Sequence, residues 1–123
     1  MTAMAHGRIC YLEIPTDDVE RSAAFYTAVF GWSTRLRGDG QRAFDDPTGG
    51  VSGSWVLGRP PARDPGMLPY IMVDRIGPAL DKVVAAGGTV LTPATPLGQP
   101  GEAYAVAADP MGNAIGLYQQ PGS

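Results

Sequence analysis

The chain contains one pattern of helix and strand signals twice. A helical stretch runs from Asp18 to Gly31 and a second runs from Asp74 to Gly87, so both have the same length. Each stretch comes after a short apolar run, and each precedes an Asp-Pro-x-Gly turn that leads into another strand-like run. These turns occupy residues 46–49 and 109–112. Repetition at about half the chain length is typical of two copies of one supersecondary unit, so we look for function where the copies meet.

Apolar runs and turn signals predict four strands around each helix. The expected strands lie near residues 8–14, 32–37, 41–45 and 50–57 in the first unit, and near 67–73, 89–92, 102–108 and 113–119 in the second. Each unit is therefore β-α-β-β-β, and its single helix covers only one face of its sheet. The sequence predicts an α+β fold in which two tandem βαβββ modules curl their sheets around a shared cup-shaped cavity.

The module boundaries are given by the same signals. We expect one domain over residues 1–123, with module one at about 8–57 and module two at about 67–119. Residues 58–66 form the expected linker, because three prolines there disfavour a central strand.

Capping and turn residues predict where each helix begins and where a loop lies. Asp17 is the expected N-cap of the first helix, with Glu20 reaching back to it. Asp74 is the expected cap of the second helix. Residues 92–101, which are rich in proline and glycine, form an expected loop in module two.

The composition excludes several classes of function. The chain has 123 residues and a net charge of −3, so it has no basic surface for nucleic acid or an anionic membrane. It lacks the apolar run of about 18 residues that spans a bilayer, and its start does not look like a signal peptide. A single cysteine excludes an internal disulfide bond and favours a reducing compartment. We therefore expect a cytoplasmic protein whose partner is a small molecule, not nucleic acid or a membrane.

A series of motifs resembles a known superfamily. The motifs are Glu13-Ile-Pro-Thr-Asp-Asp-Val-Glu-Arg-Ser, Phe25-Tyr26, Val29-Phe-Gly-Trp32, Val73-Asp74, Ala85-Ala-Gly-Gly88 and Asp109-Pro-Met-Gly-Asn-Ala-Ile-Gly-Leu-Tyr118. Together they cover about residues 8–119 and resemble the vicinal oxygen chelate superfamily, which contains glyoxalase I, extradiol dioxygenases and bleomycin-resistance proteins. Within it, the chain is most similar to the small bacterial glyoxalase-like proteins. The resemblance implies a fold more than a reaction, because this fold serves several chemistries and also pure binding.

The resemblance also implies where a metal would bind. Metal enzymes of the superfamily place ligands, mostly His and Glu, at four equivalent strand positions. The matching positions in this chain are Tyr11, Gly53, Leu68 and Gly116. A divalent ion needs several N, O or S donors, and the one phenol in this set does not supply them. We therefore expect no metal and no other cofactor.

Strand alternation predicts which side chains face the cavity. Tyr11 and Glu13 should face the cup, whereas the alternate residues, including Cys10, should face the helix. The full expected lining is Tyr11, Glu13, Gly53, Trp55, Leu68, Tyr70, Met72, Tyr104, Gly116 and Tyr118. Aromatic walls suit a flat or conjugated organic ligand, although the same rings could simply fill the interior. The two glycines, one in each module, should enlarge the floor of the cup.

Three functions are consistent with these features. The first is a small-molecule-binding protein of the glyoxalase/bleomycin-resistance type, which holds an aromatic or amphipathic ligand without a metal. The second is a metal-independent lyase, isomerase or hydrolase, in which Glu13 acts as acid or base and Tyr11 or Tyr70 donates a hydrogen bond. The third is a metalloenzyme with an atypical site that takes donors from His6 or a second subunit. The resemblance implies a homodimer, with the modules paired within one chain or between two.

Overall fold

The two sequence repeats fold into two modules with the same order of elements. The computed structural model describes residues 9–62 and 68–122. Module one consists of β1 Tyr11–Pro15, α1 Val19–Phe30, β2 Ser33–Leu36, β3 Arg42–Asp45 and β4 Ser52–Val56. Module two consists of β5 Tyr70–Met72, α2 Ile76–Ala85, β6 Thr89–Pro96, β7 Ala103–Ala108 and β8 Ala114–Gln119. The predicted α+β fold with two tandem βαβββ modules is confirmed. No helix in the described residues is long and apolar enough to cross a membrane.

Each module forms its own four-stranded sheet. The strand orders are β1-β4-β3-β2 in module one and β5-β8-β7-β6 in module two. The first and last strands of each module pair in parallel, and the remaining pairs are antiparallel. β1 and β5 are therefore corresponding edge strands. No ladder of hydrogen bonds joins these two edges within the described part of the chain.

The first helix is capped one residue later than the sequence predicts. Asp18 is the N-cap, with φ −149° and ψ 95°, and its carboxylate accepts a hydrogen bond from the backbone N–H of Arg21 at 3.1 Å. The expectation of Asp17 was wrong, because the extended backbone that a capping side chain needs is at Asp18. Gly31 ends the helix as predicted, in the left-handed conformation with φ 72°.

The second helix takes its cap from a distant strand. Its N-cap position is Arg75, and no capping bond comes from that side chain. Instead, the backbone N–H of Ile76 donates to the side-chain oxygen of Gln119 in β8 at 2.8 Å. The prediction of Asp74 as the cap was therefore wrong, since the side chain of a residue 43 positions away accepts from the first N–H of the helix.

β6 extends through the first half of the segment that was predicted to be a loop. It runs from Thr89 to Pro96 and contains two prolines, Pro93 and Pro96. β6 lies at the edge of its sheet, where a missing N–H need not break a ladder bond. Its pairing with β7 contains two register shifts, which is how an edge strand accommodates such residues.

An aromatic cluster fills the space between α1 and the first sheet. Tyr26 of α1 stacks on Trp32 with ring centroids 4.7 Å apart, and Trp32 stacks on Phe44 of β3 at 4.4 Å. Trp55 of β4 completes the buried cluster, 4.9 Å from the Phe44 ring. The expectation that Cys10 faces the helix was wrong, since this residue, directly before β1, is exposed.

Candidate ligand-binding cleft

A cleft of about 380 Å³ lies between the two sheets. Its walls come from the edge strands, with Glu13 and Ile14 on β1 and Tyr70 and Met72 on β5. Its floor contains the buried rings of Tyr26, Trp32 and Phe44, which belong to the helix side of module one. Ligand sites for small organic molecules typically have volumes of about 300–1,000 Å³ and mostly apolar walls, so this cleft is the candidate site.

Most polar side chains of the cleft already have partners. The carboxylate of Glu13 forms an ion pair with Arg59, which is exposed at the mouth of the cleft. The hydroxyl of Tyr26 donates to Asp109 at 2.9 Å. Asp46 and Asn113 are bonded within the two Asp-Pro turns, whereas the Tyr70 hydroxyl has no hydrogen-bond partner among the described residues. A ligand would therefore meet an apolar interior whose side-chain hydrogen-bonding groups are largely occupied.

Asp46 organises the turn that leads into β4. Its carboxylate accepts hydrogen bonds from the backbone N–H groups of Thr48, Gly50 and Val51 at 2.9–3.1 Å and from the Thr48 hydroxyl at 2.7 Å. Partial burial by itself would raise the pKa of Asp46, but these four hydrogen bonds favour the charged form and lower the pKa overall. The turn at the rim of the cleft is therefore held by an ionised carboxylate.

Acid is expected to remove the stabilising contribution of Asp46. Because folding lowers its pKa, the contribution is fully present above the unfolded value of about 3.9 and is lost as the pH falls through the lower folded value. We expect the difference in unfolding free energy between wild type and Asp46→Asn to be constant between about pH 7 and 5 and to shrink below about pH 4. Urea unfolding at each pH measures this difference. A difference unchanged down to about pH 3 would contradict the expectation.

A buried polar group joins the modules behind the cleft. Asp109, from the turn of module two, accepts from the hydroxyl of Tyr26 in α1 at 2.9 Å. Burial, the negative charge of Asp109 and this hydrogen bond all raise the pKa of Tyr26, so the phenol remains protonated. Asn113 donates to Asp109 at 2.8 Å and to the carbonyl of Pro15 at 2.7 Å, and it accepts from the N–H of Ala62 at 2.9 Å. One asparagine thus links β1, the linker and module two.

The predicted lining residues of module two share one face of their sheet. Tyr70 pairs with Gly116 and Met72 pairs with Tyr118, and Tyr104 lies opposite Tyr118 on the neighbouring strand. Tyr70 and Met72 line the cleft itself. Gly116, Tyr104 and Tyr118 extend this face beyond it, and Leu68 lies just before β5. The Tyr118 hydroxyl donates to Glu102 at 2.6 Å.

The predicted lining of module one is split between two faces. Tyr11 and Glu13 pair with Ser52 and Ser54, so they share a face with those serines and not with Gly53 or Trp55. Trp55 is 2% exposed and packs in the aromatic core under α1. The placement of Gly53 and Trp55 in the cup was therefore wrong. Tyr11 is on the expected face, where its hydroxyl accepts from Arg37 at 2.8 Å.

The cause of this error is one extra residue in the first turn. In module one the N–H of Asp46 donates to the carbonyl of Val51, whereas in module two the N–H of Asp109 donates to the carbonyl of Asn113. The first turn therefore spans five positions and the second spans four. A shift of one residue moves every subsequent side chain to the opposite face of a strand. Ser54, not Gly53, is the structural counterpart of Gly116.

Neither predicted glycine enlarges the cavity. At Gly53, on the helix side, the space of a side chain is filled by the ring of Phe44, whose Cε2 would lie 2.7 Å from an added Cβ. At Gly116 the same space is covered by the Tyr70 ring, with Cε2 at 2.6 Å. At both glycines an aromatic ring occupies the space beside the backbone.

The four positions that hold metals in this fold do not supply a suitable donor set. Once the one-residue difference between the two turns is taken into account, these positions are Tyr11, Ser54, Leu68 and Gly116. They offer one phenol and one aliphatic hydroxyl. The residues that the structure describes contain no group of three or more His, Cys, Asp or Glu side chains arranged to hold an ion. Divalent metals in proteins are held by several carboxylate, imidazole or thiolate donors, so these positions do not fit one. His6 lies outside the described residues.

The aromatic floor of the cleft is a feature that strand alternation does not predict. The spacing of Tyr26 in α1 indicates a buried helix stripe, and Trp32 and Phe44 lie just before β2 and in β3. These residues reach the cleft because it runs between two sheet edges into the core of module one, and not only over the face opposite the helices.

The fold and the order of its motifs agree with a match to one family model over residues 8–117, described as the Glyoxalase/Bleomycin resistance protein/Dioxygenase superfamily. The chain belongs to this superfamily. Its sequence is 33% identical over 116 residues to a Mycobacterium tuberculosis protein named "Putative glyoxylase CFP32". The aligned region covers 89% of this chain and 44% of that relative. This chain thus spans less than half the length of that relative. A Didymella fabae protein named "Glyoxylase-like domain-containing protein" is 29% identical over 95% of this chain and 97% of its own length.

Solved structures of the superfamily have the same fold. A glyoxalase/bleomycin resistance protein/dioxygenase family enzyme from Burkholderia phytofirmans superposes with a TM-score of 0.74 and 21% identity, over 92% of this chain and 98% of that one. A superfamily member from Sphaerobacter thermophilus has a TM-score of 0.74 and 19% identity, over 93% and 98% of the two chains. At these identities the superpositions show a shared fold and carry no information about the ligand.

Proposed function

We propose that this superfamily member binds a small amphipathic or aromatic molecule in the cleft between β1 and β5 and needs no metal to do so. The observation that carries the proposal is the apolar cleft of about 380 Å³, which has an aromatic floor and opens between two strand edges. Ligand pockets of this size are lined mainly by hydrophobic and aromatic side chains, with a few polar groups that orient the ligand.

The shape of the lining supports a ligand with two unlike ends. Rings from the core of module one form the floor, so an apolar or aromatic end would be buried there. Toward the mouth, Tyr70 is 51% exposed and Met72 is 58% exposed, and Glu13 is paired with Arg59. A polar end would remain near this partly solvated rim. Burying exposed apolar side chains such as Met72 contributes to affinity in proportion to the area removed from water.

The alternative role of Glu13 as a catalytic acid or base has less support. Its side chain is 44% exposed, and its carboxylate is paired with the guanidinium of Arg59. A proton-transfer group is more effective when it lies at hydrogen-bond distance from a bound substrate and is shielded from water. We therefore favour ligand binding over acid or base catalysis by Glu13 as the function of the cleft.

Filling the cleft is expected to abolish ligand binding. Val51 lines the cleft just before β4, and Val51→Trp would place an indole where a ligand sits. Calorimetric titration or thermal shift against a panel of aromatic amphiphiles should find saturable binding by the wild type and at least tenfold weaker binding by Val51→Trp. The steric reason is that a 380 Å³ cavity has little room for a second ring system.

The matched control is Leu57→Trp. Leu57 comes directly after β4, is 66% exposed and does not line the cleft, so this variant adds the same ring without filling the site. It should bind as the wild type does. The proposal fails if no compound in the panel binds the wild type, or if both tryptophan variants lose binding equally.

A further inference from the structure

We infer that the ligand is peptide-like: a neutral molecule whose amide N–H and C=O groups bind the unpaired main-chain edges of β1 and β5. This inference rests on the proposed function and specifies the chemistry of the molecule in the cleft. It depends on which hydrogen-bonding groups facing the cleft already have partners and which do not.

The phase of β1 fixes which main-chain groups face the cleft. The N–H of Ser52 donates to the carbonyl of Cys10, and the N–H of Thr16 donates to the carbonyl of Val56. In a parallel ladder, the residues that carry these bonds alternate with residues whose N–H and C=O point to the other side. In β1 the alternate residues are Tyr11, Glu13 and Pro15, so their main-chain groups point away from β4 and toward β5.

The main-chain groups of β5 alternate between its two sides in the same way. The N–H of Gly116 donates to the carbonyl of Pro69, and the N–H of Val73 donates to the carbonyl of Tyr118. The main-chain groups of Tyr70 and Met72 therefore point away from β8 and toward β1. Since no ladder joins β1 to β5 in the described residues, two strand edges with unpaired donors and acceptors face each other across the cleft.

The sequence of β1 is consistent with this arrangement. Pro15 occupies one of the outward positions, where the absence of an N–H removes no ladder bond with β4. The carbonyl of Pro15 already accepts a hydrogen bond from a primary amide, the side chain of Asn113, at 2.7 Å. An amide thus binds this edge from the cleft side, and a ligand amide would extend the same interaction along β1.

The other polar groups disfavour a charged ligand. Arg35, Arg37 and Arg59 are near the sheet of module one, but each is paired with a carboxylate, respectively Asp45, Asp39 and Glu13. The side-chain amide of Asn113 and the carboxylate of Asp46 are also bonded. The free groups along the two edges are main-chain N–H and C=O together with the Tyr70 hydroxyl, and all of them are uncharged. They match a neutral ligand that carries donors and acceptors in alternation. Peptides that add to a strand edge are bound in this way.

The test compares an amide with its ester. The probe is N-acetyl-phenylalanyl-leucinamide, and the matched compound is the depsipeptide in which oxygen replaces the N–H between the two residues. Titration of the ¹⁵N-labelled protein should show saturable shifts of the N–H signals of Tyr11, Glu13, Tyr70 and Met72. The depsipeptide should bind roughly tenfold or more weakly, because one main-chain acceptor in the cleft loses its donor.

A protein variant tests the complementary bond, in which a main-chain N–H of the protein donates to a carbonyl of the ligand. Met72→Pro removes an N–H that faces the cleft and leaves the β5–β8 ladder intact, so the amide probe should bind roughly tenfold more weakly. Met72→Ala also loses the long apolar side chain but keeps the N–H, so it is the reference variant, and Met72→Pro should bind the probe roughly tenfold more weakly than Met72→Ala. If Met72→Pro does not fold, the comparison of amide and ester on the wild type still tests whether the ligand is peptide-like.

The outcomes separate this inference from the proposed function. Equal affinity for amide and ester overturns the inference, and so do shifts confined to residues away from β1 and β5. If Val51→Trp still abolishes binding in that case, the cleft remains the binding site and only the peptide-like ligand is rejected. If neither peptide binds while an aromatic amphiphile does, the inference also fails alone. If nothing binds, both fail.

Discussion

Replacing Gly53 by alanine is expected to destabilise the protein far more than the same change at Gly116. A methyl group at residue 53 would collide with the carbonyl oxygen of Leu12 and with the ring of Phe44. Neither group can move freely, because the carbonyl belongs to the β1–β4 ladder and Phe44 is 1% exposed between Trp32 and Trp55. Overpacking a well-filled core costs about 1–3 kcal/mol and occasionally more, and we expect at least the upper end of that range.

Gly116→Ala is the matched control for this prediction. The group that a methyl would meet there is the ring of Tyr70, which is 51% exposed and can rotate toward solvent. We expect a loss below about 1 kcal/mol. Urea unfolding of both variants measures the two losses. Equal losses would show that the helix-side position of Gly53, and the one-residue difference between the turns, are incorrect.

The contrast between these glycines shows how far the sequence determines the site. The repeat, the strand positions and the helix ends at Gly31 and Gly87 are local signals, because apolar alternation and left-handed glycines act over a few residues. They predict the order of elements correctly in both modules. The face on which a side chain lies after a turn depends on the number of residues in that turn, and Asp-Pro-x-Gly motifs of similar sequence close differently at Asp46 and Asp109.

Features that depend on contacts between residues far apart in the chain could not be predicted from the sequence, for a different reason. The cap of α2 comes from Gln119, and the floor of the cleft includes Tyr26 and Phe44, which the sequence indicates only as buried residues. Such contacts join positions far apart in the chain, and neither periodicity nor capping rules contain that information. The absence of usual metal ligands at Tyr11, Leu68 and Gly116, by contrast, depends on residue identity at motif positions. A metal-free protein stays a prediction, which metal analysis of the purified protein can test.

Replacing Asp109 by alanine is expected to cost about 3–5 kcal/mol of unfolding free energy. Asp109 is 3% exposed and accepts four hydrogen bonds, from the Tyr26 hydroxyl, the N–H groups of Met111 and Asn113, and the Asn113 side chain, at 2.8–2.9 Å. Alanine would leave these buried donors without their acceptor, and each unsatisfied group costs about 1–3 kcal/mol unless water reaches it. Because Tyr26 and Asn113 join α1, β1 and module two, the loss should also loosen the cleft. Guanidinium unfolding measures the cost, and Asp109→Asn, which keeps an acceptor, should lose less.

Asp46→Ala provides the comparison for this prediction, since Asp46 begins the corresponding turn of module one. It also accepts four hydrogen bonds, but its donors, in Thr48, Gly50 and Val51, lie in part-buried or exposed positions that water can reach. We expect a loss of about 1 kcal/mol there. Adding Tyr26→Phe to Asp109→Ala removes one of the orphaned donors, so the double variant should be more stable than the sum of the two single losses predicts, by about 0.5–3 kcal/mol. Additive losses, or similar costs at Asp46 and Asp109, would mean that the buried carboxylate does not join the two modules.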